Sequence, residues 1–206
     1  MSNGTTVKKR NGRGTEPLDL EKMHKMVEEA CKGVAGVSAS QVEIQSGIQF
    51  YDGITTEEIQ EILIKSASDL IDLDHPNYQF VAARLLLFAL RKSLYGKMRE
   101  MPSLEEHIYK CVNQEVYDAG LYDKYSKEDI EKANGYIDHG RDFLFTYAGL
   151  RQVVDKYLVQ DRSTGKVYET PQFMYMMIAL TIFAEYPKEK RLNYVRRYYD
   201  AISRHK

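Results

Sequence analysis

Val7-Lys8-Lys9-Arg10-Asn11-Gly12, then Thr15-Glu16-Pro17-Leu18 and Asp19-Leu20-Glu21-Lys22-Met23, is the stretch that decides the fold of this chain. Asn11-Gly12 between two short extended runs signals a hairpin, because the tight turn joining such strands needs positive φ at both central residues. Gly14 and Pro17 predict an irregular or edge second strand. Asp19 stands where a helix N-cap belongs. Leu20, Met23, Val27, Ala30, Cys31 and Val34 follow in steps of three and four, which makes one continuous apolar stripe. Gly33 and Gly36 close that first helix.

Working outward, the helix-start signals repeat. Ser38-x-x-Gln41 reads as a capping box, with Val37 and Val42 as its hydrophobic staple. Thr55-x-x-Glu58 repeats the device with Ile54 and Ile59, and Ile62, Leu63, Ala67, Leu70 and Ile71 carry the third helix onward. A fourth helix starts after Pro76, buries Phe80, Val81, Leu85, Phe88 and Leu90, and stops at Gly96. Residues 1–96 are therefore expected to form a four-helix bundle capped by a small β-sheet or hairpin. Met98 to Ser103 turns polar and contains Pro102, and Ser103-x-x-Glu106 opens a new capping box, so a second, helical segment is expected over 97–206. Its helices are predicted at 104–118, 127–137 and 142–156. A short hairpin follows through Tyr157-Leu158-Val159 and Val167-Tyr168. Then comes a nearly all-apolar helix from Pro171 to Tyr186, predicted to be buried, and a last amphipathic helix over Lys188 to Arg204. The fold class is mainly α.

Composition narrows the function classes. The 206 residues give room for one sizeable domain or two smaller ones, and a formal net charge of −1 provides no long-range attraction to nucleic acid or to an anionic membrane. The two cysteines, Cys31 and Cys111, have no metal-ligand spacing and fit a reducing cytosol; both read as buried structural thiols. No apolar run is long enough for a transmembrane helix, and the N-terminus lacks a signal-peptide core. The expectation is a soluble, cytoplasmic protein without nucleic-acid or membrane partners.

One constellation asks for chemistry. Lys22 falls in the opening turn of the first helix, where a cation opposes the helix macrodipole. Free amides at a helix N-terminus together with a lysine make a phosphate site. The hairpin adds Lys8, Lys9 and Arg10, and the end of the fourth helix adds Lys92. The other reading of the same residues is a solvated basic face, with Arg91 and Lys92 serving their own helix's C-terminal dipole.

Resemblance weighs on that choice. The first 96 residues resemble the ATP-cone, the nucleotide-sensing module of ribonucleotide reductase large subunits. Tyr51-Asp52-Gly53-Ile54, Tyr78-Gln79-Phe80-Val81-Ala82-Ala83-Arg84, Tyr157-Leu158-Val159, Tyr168-Glu169-Thr170-Pro171-Gln172-Phe173 and Arg197-Tyr198-Tyr199-Asp200-Ala201 extend the resemblance to the aerobic, class I subunit over essentially the whole chain. The resemblance implies a nucleotide site formed by Val7, Lys9 and Arg10 in the first strand, Glu16 in the second, and Asp19, Lys22 and Met23 in the first helix. Thr56 at the start of the third helix and Phe88 and Lys92 late in the fourth complete it. Common bacterial members differ at Gln60, Ala89 and Glu29, and have one residue fewer between Gly12 and Glu16. The resemblance further implies ATP or dATP as allosteric effector, Mg2+ with the nucleotide, and partnership with the small, radical-bearing subunit. In that family the catalytic barrel and its cysteines lie further along than residue 206. The chain is therefore expected to have no catalytic residues, to be inactive alone, and to be completed by a separately encoded barrel polypeptide in deoxyribonucleotide synthesis for DNA replication. The alternative is a free-standing nucleotide sensor or helical scaffold.

Two motif echoes are set aside. Thr164-Gly165-Lys166 lacks the upstream glycine of a P-loop and reads as a hairpin turn. Glu21-x-x-His24 lacks the second copy and the further glutamates that a di-iron site needs. The five histidines show no zinc spacing, so no metal ligands are expected.

Overall fold

In the computed structural model, residues 5–8, 14–47 and 49–204 are described. The Asn11-Gly12 turn, Lys9 and Arg10 lie outside them. Cα packing divides the chain into two compact units, Met1–Ala89 with Phe145–Arg151 and Leu90–Leu144 with Gln152–Lys206.

In the first unit, β1 (Thr6–Lys8) pairs antiparallel with β2 (Thr15–Pro17), and Val7 sits opposite Glu16. Asp19 caps α1 (Leu20–Cys31) by accepting the Lys22 amide at 3.0 Å. α2 (Ala39–Gly47) leads to β3 (Ile54–Thr55), which pairs parallel with β1. The small cap expected from the sequence is thus a three-stranded sheet in the order β2-β1-β3, the hairpin with β3 added at its edge. Two residues are too few to show strand periodicity, so β3 reads in the sequence only as a helix lead-in. α3 (Thr56–Asp69) starts with the expected Thr55–Glu58 capping box. α4 (Tyr78–Tyr95) starts in this unit, passes into the second after Ala89 and ends at Gly96, whose φ of +74° suits the left-handed turn. Val7, Val27, Ala30, Val42, Ile54, Leu63, Ala67, Val81 and Ala82 form the core of this unit.

The Ser38 box is rerouted. The Ser38 amide donates to the Tyr78 hydroxyl at 3.0 Å, and that hydroxyl donates to Gln41 Oε1. The tyrosine is inserted between the two residues that would otherwise bond each other. Cys31, expected to be buried, is half-buried, and Arg84 holds the end of α1 through the carbonyls of Ala30 (3.1 Å) and Lys32 (2.6 Å).

The second unit contains α5 (Leu104–Asn113), α6 (Leu121–Lys124), α7 (Lys127–Asn134), a 3-10 turn (His139–Leu144), α9 (Pro171–Ile182) and α10 (Lys188–Ile202). α8 (Tyr147–Gln152) belongs, but for Gln152, to the first unit and precedes a π turn (Val153–Tyr157) of the second, in which β4 (Gln160–Asp161) pairs antiparallel with β5 (Lys166–Val167). Ser103 and Glu106 form the expected box. α5 stops five residues short of the expected 118, because Glu115 takes φ +57° and the Val116 amide turns back to the Cys111 carbonyl at 2.9 Å. The expected helix over 142–156 is instead a 3-10 turn, α8 and a π turn, and β4 begins after Tyr157-Leu158-Val159 rather than within it. α9 is not buried all round, since Ile178 and Ile182 stay exposed. Phe173, Met176, Leu180, Val195, Tyr199, Leu104, Ile108 and Ile130 make the core.

This unit also buries ions. Arg91 Nη2 donates to Asp142 Oδ2 at 2.7 Å and to the His139 carbonyl at 2.8 Å. Asp142 Oδ1 accepts from Gln172 at 2.9 Å, and Gln172 Oε1 accepts from the Tyr199 hydroxyl at 2.7 Å. No helix among the described residues is long and apolar enough to cross a membrane.

Candidate functional site

The candidate site is built on the three-stranded sheet. β1 lies in the middle, β2 runs into the N-terminus of α1, and β3 runs into the N-terminus of α3. Of the ten residues expected from sequence, Lys9 and Arg10 lie outside the described residues. Val7 is buried beneath the sheet, directly across from Glu16. Lys22, one turn into α1, feels the Glu16 carboxylate and pairs with Asp19 Oδ2 at 3.1 Å. The Asp19 hydrogen bond is the main cause that raises the Lys22 ammonium above the usual lysine range. In turn, the Lys22 amide is the main cause that lowers the Asp19 carboxyl. The N-cap carboxylate thus answers the cation that seemed misplaced against the helix dipole.

Thr56 begins α3 half-buried, and its hydroxyl donates to Glu57 at 3.0 Å. Phe88 is buried, and Lys92 lies half-buried one turn later on α4. Met23 lines a different feature, a groove of about 810 Å³ with Pro17, Leu18, His24, Ile44 and Phe50, and none of the other seven described candidates lines it. At its rim, His24 Nδ1 meets Glu43 at 2.7 Å and Nε2 meets Glu28 at 3.2 Å.

The sequence pattern does not reveal what ties the sheet together. Asp52 Oδ1 accepts both the amide and the hydroxyl of Thr6, at 2.8 and 2.7 Å, and the Gly53 amide donates to the Thr6 carbonyl at 2.9 Å. The Tyr51 hydroxyl reaches Glu58 at 2.7 Å, the same carboxylate that completes the α3 capping box. Tyr51-Asp52-Gly53 was the available signal, but its partners lie elsewhere in the chain.

Two known domain families match the chain, over separate stretches. Residues 5–93 match the ATP cone domain, and residues 143–206 match the ribonucleotide reductase all-alpha domain. The chain is 47% identical over 203 residues to the alpha subunit of ribonucleoside-diphosphate reductase from Haemophilus influenzae, covering 98% of this chain and 27% of that protein. The Escherichia coli reductase 1 alpha subunit gives the same 47% identity over 203 residues, with 26% of its length covered. The enterobacteria phage T4 alpha subunit is 43% identical over 191 residues. The chain belongs to the N-terminal region of the ribonucleotide reductase alpha-subunit family. It spans about a quarter of the length of these relatives. The ATP cone thus coincides with the sheet-capped bundle, and the all-alpha domain takes in α8, α9 and α10.

Proposed function

We propose that this chain is the nucleotide-sensing part of a ribonucleoside-diphosphate reductase large subunit, in which the cone over 1–96 binds ATP or dATP and sets the activity of the assembly. Val7, Lys9, Arg10, Glu16, Asp19, Lys22, Met23, Thr56, Phe88 and Lys92 are the residues proposed to hold the nucleotide. The observation that carries the reading is the sheet itself, a central strand ending in the exposed Lys8 and flanked by strands that each feed a helix N-terminus. Such termini present free amides and a partial positive charge to an anion.

The donor chemistry suits a polyanion. Lys22 is 77% exposed, so its surface pair with Asp19 can exchange for phosphate at little cost. Among the described residues no group of three or more His, Cys, Asp or Glu side chains is placed to hold a metal. On this reading Mg2+ arrives on the phosphates and keeps much of its water.

Residues 97–206 are proposed to dock the cone onto a separately encoded barrel polypeptide that brings the catalytic cysteines, with the small radical-bearing subunit completing a cytoplasmic enzyme. This chain alone is then inactive. Effector control requires only that ATP and dATP differ in their affinity for two assembly states. A ribose hydroxyl bonded in one state and unpaired in the other supplies about 1–3 kcal/mol.

Calorimetric titration tests the site. Lys9→Ala with Lys22→Ala should lower ATP affinity by at least about tenfold, as expected for lost charge-assisted phosphate contacts, with helicity retained. Unchanged affinity removes the phosphate roles. Reductase activity that appears only when the barrel polypeptide is added supports the docking role, whereas activity of this chain alone refutes it.

A further inference from the structure

The Tyr51-Asp52-Gly53-Ile54 stretch supplies none of the residues proposed to hold the nucleotide, yet it joins two elements that do. A single carboxylate oxygen of Asp52 accepts two hydrogen bonds from Thr6, at 2.8 Å from the amide and 2.7 Å from the hydroxyl. The Thr6 carbonyl accepts the Gly53 amide at 2.9 Å, so the two short segments are bonded in both directions. Gly53 holds φ +81°, and a Cβ placed there would lie 3.8 Å from Lys8 Cε, so this turn lies against the strand it clamps. Ile54 and Thr55 then run alongside Val7 and Lys8, and the chain enters α3 at Thr56.

The positions matter. On one side the clamp grips the residue before Val7 and three before Lys9; on the other it lies four residues before Thr56. β1 has three residues and β3 has two, which is too little ladder to set its own register. An ionised acceptor taking two donors is of the stronger kind of hydrogen bond. The alignment of the basic strand with the start of α3 therefore depends on Asp52.

We propose that Asp52 is a positioning residue for the nucleotide site: through Thr6 it keeps β1 in register with the start of α3, so that the basic strand and Thr56 engage one triphosphate together. The role rests on the nucleotide reading above and deepens it. Asp52 acts through the strand, not by contact with phosphate, which its own charge would repel.

The test uses the full chain, titrated with ATP by calorimetry, with urea midpoints followed by circular dichroism. Asp52→Ala is expected to lower ATP affinity about tenfold, the size of one lost charge-assisted bond, while the urea midpoint stays in place because the pair is exposed. Asp52→Asn keeps an oxygen that accepts both Thr6 donors and should restore affinity to within about threefold of the natural chain. Thr6→Val, which loses only the hydroxyl, should fall between, and Asp52→Ala with Thr6→Val should be no weaker than Asp52→Ala alone. Two results overturn the positioning role while the nucleotide reading stands: Asp52→Ala binding ATP as well as the natural chain, or a loss that Asp52→Asn fails to rescue. If the natural chain binds no ATP, the nucleotide reading fails and the positioning role falls with it.

Discussion

In the first unit, Lys22 and Asp19 pair across one helical turn with side chains 77% and 43% exposed, whereas in the second unit Arg91 and Asp142 pair at 4% and 0%. The difference separates two uses of charge. An exposed pair gains little from its Coulomb attraction, so its members remain available to a ligand of higher charge. A buried pair costs desolvation free energy for both ions and is then held by every bond that satisfies them. The second unit extends this pattern around Phe173. His107 stacks on that ring at 4.1 Å, and Tyr117 donates to a buried Glu169 whose other oxygen takes the Val159 amide at 2.8 Å. The first unit leaves this pair in solvent; the second uses its charge to fix how its helices pack.

The strongest way to break this comparison is to truncate one ion in each unit. Asp142→Ala leaves Arg91 buried without its carboxylate, with the His139 carbonyl and the face of the Phe143 ring in its place, and it strands the Gln172 amide. Removing one member of a buried pair costs about 3–5 kcal/mol, so the urea midpoint of the chain should drop sharply. Lys22→Ala should leave the midpoint where it was. Equal shifts for the two variants would show that burial does not separate the pairs as described.

How much of this is legible in the sequence depends on the separation of the partners. Asp19 with Lys22, Thr55 with Glu58 and Ser103 with Glu106 are three residues apart, and all three appear as the local pattern implies. Ser38 and Gln41 are equally close, but Tyr78 intervenes from some forty residues away and diverts both. The end of α5 is illegible for another reason. Glu115 occupies a left-handed position where glycine is the usual sign, so nothing at Asn113 announces a stop. In the candidate site, the cap and the helix starts are local and readable. The Thr6–Asp52 clamp spans 46 residues and the parallel β1–β3 pairing a similar distance, so both exist only once the chain has folded.

Titration should sharpen the same contrast, more weakly than truncation but with opposite signs in the two units. Burial depresses His107 to about 3 and His139 to about 4, against an ordinary histidine near 6.5. The unfolded chain therefore takes up protons first as pH falls below about 6.5, and these two residues withdraw stability progressively down to their folded values. Burial raises Asp142 and Glu169 instead, and they act in the opposite direction over the acid range, so the net curve alone is ambiguous. The difference between the natural chain and His107→Phe isolates the histidine. Phenylalanine retains the stack on Phe173 and cannot titrate, so the stability change between about pH 7 and pH 5 should be smaller in the variant. Parallel curves for the two proteins would refute the assignment.

His24 in the first unit should give the smallest effect and the opposite sign. Its hydrogen bond to Glu43 raises the ring above the ordinary histidine value, with the Glu28 charge adding to it. A raised folded value means stability that is fully present below about 6.5 and is lost as pH rises through the folded value. His24→Gln should therefore lower the urea midpoint slightly at pH 6 and leave it unchanged at pH 9. Ring-proton NMR gives the direct reading. The His24 resonance should move with a midpoint above 6.5, while those of His107 and His139 stay still between pH 8 and about pH 5. If all three rings titrated together near 6.5, burial would not separate the histidines of the two units as described, and the contrast in how they hold charge would fail.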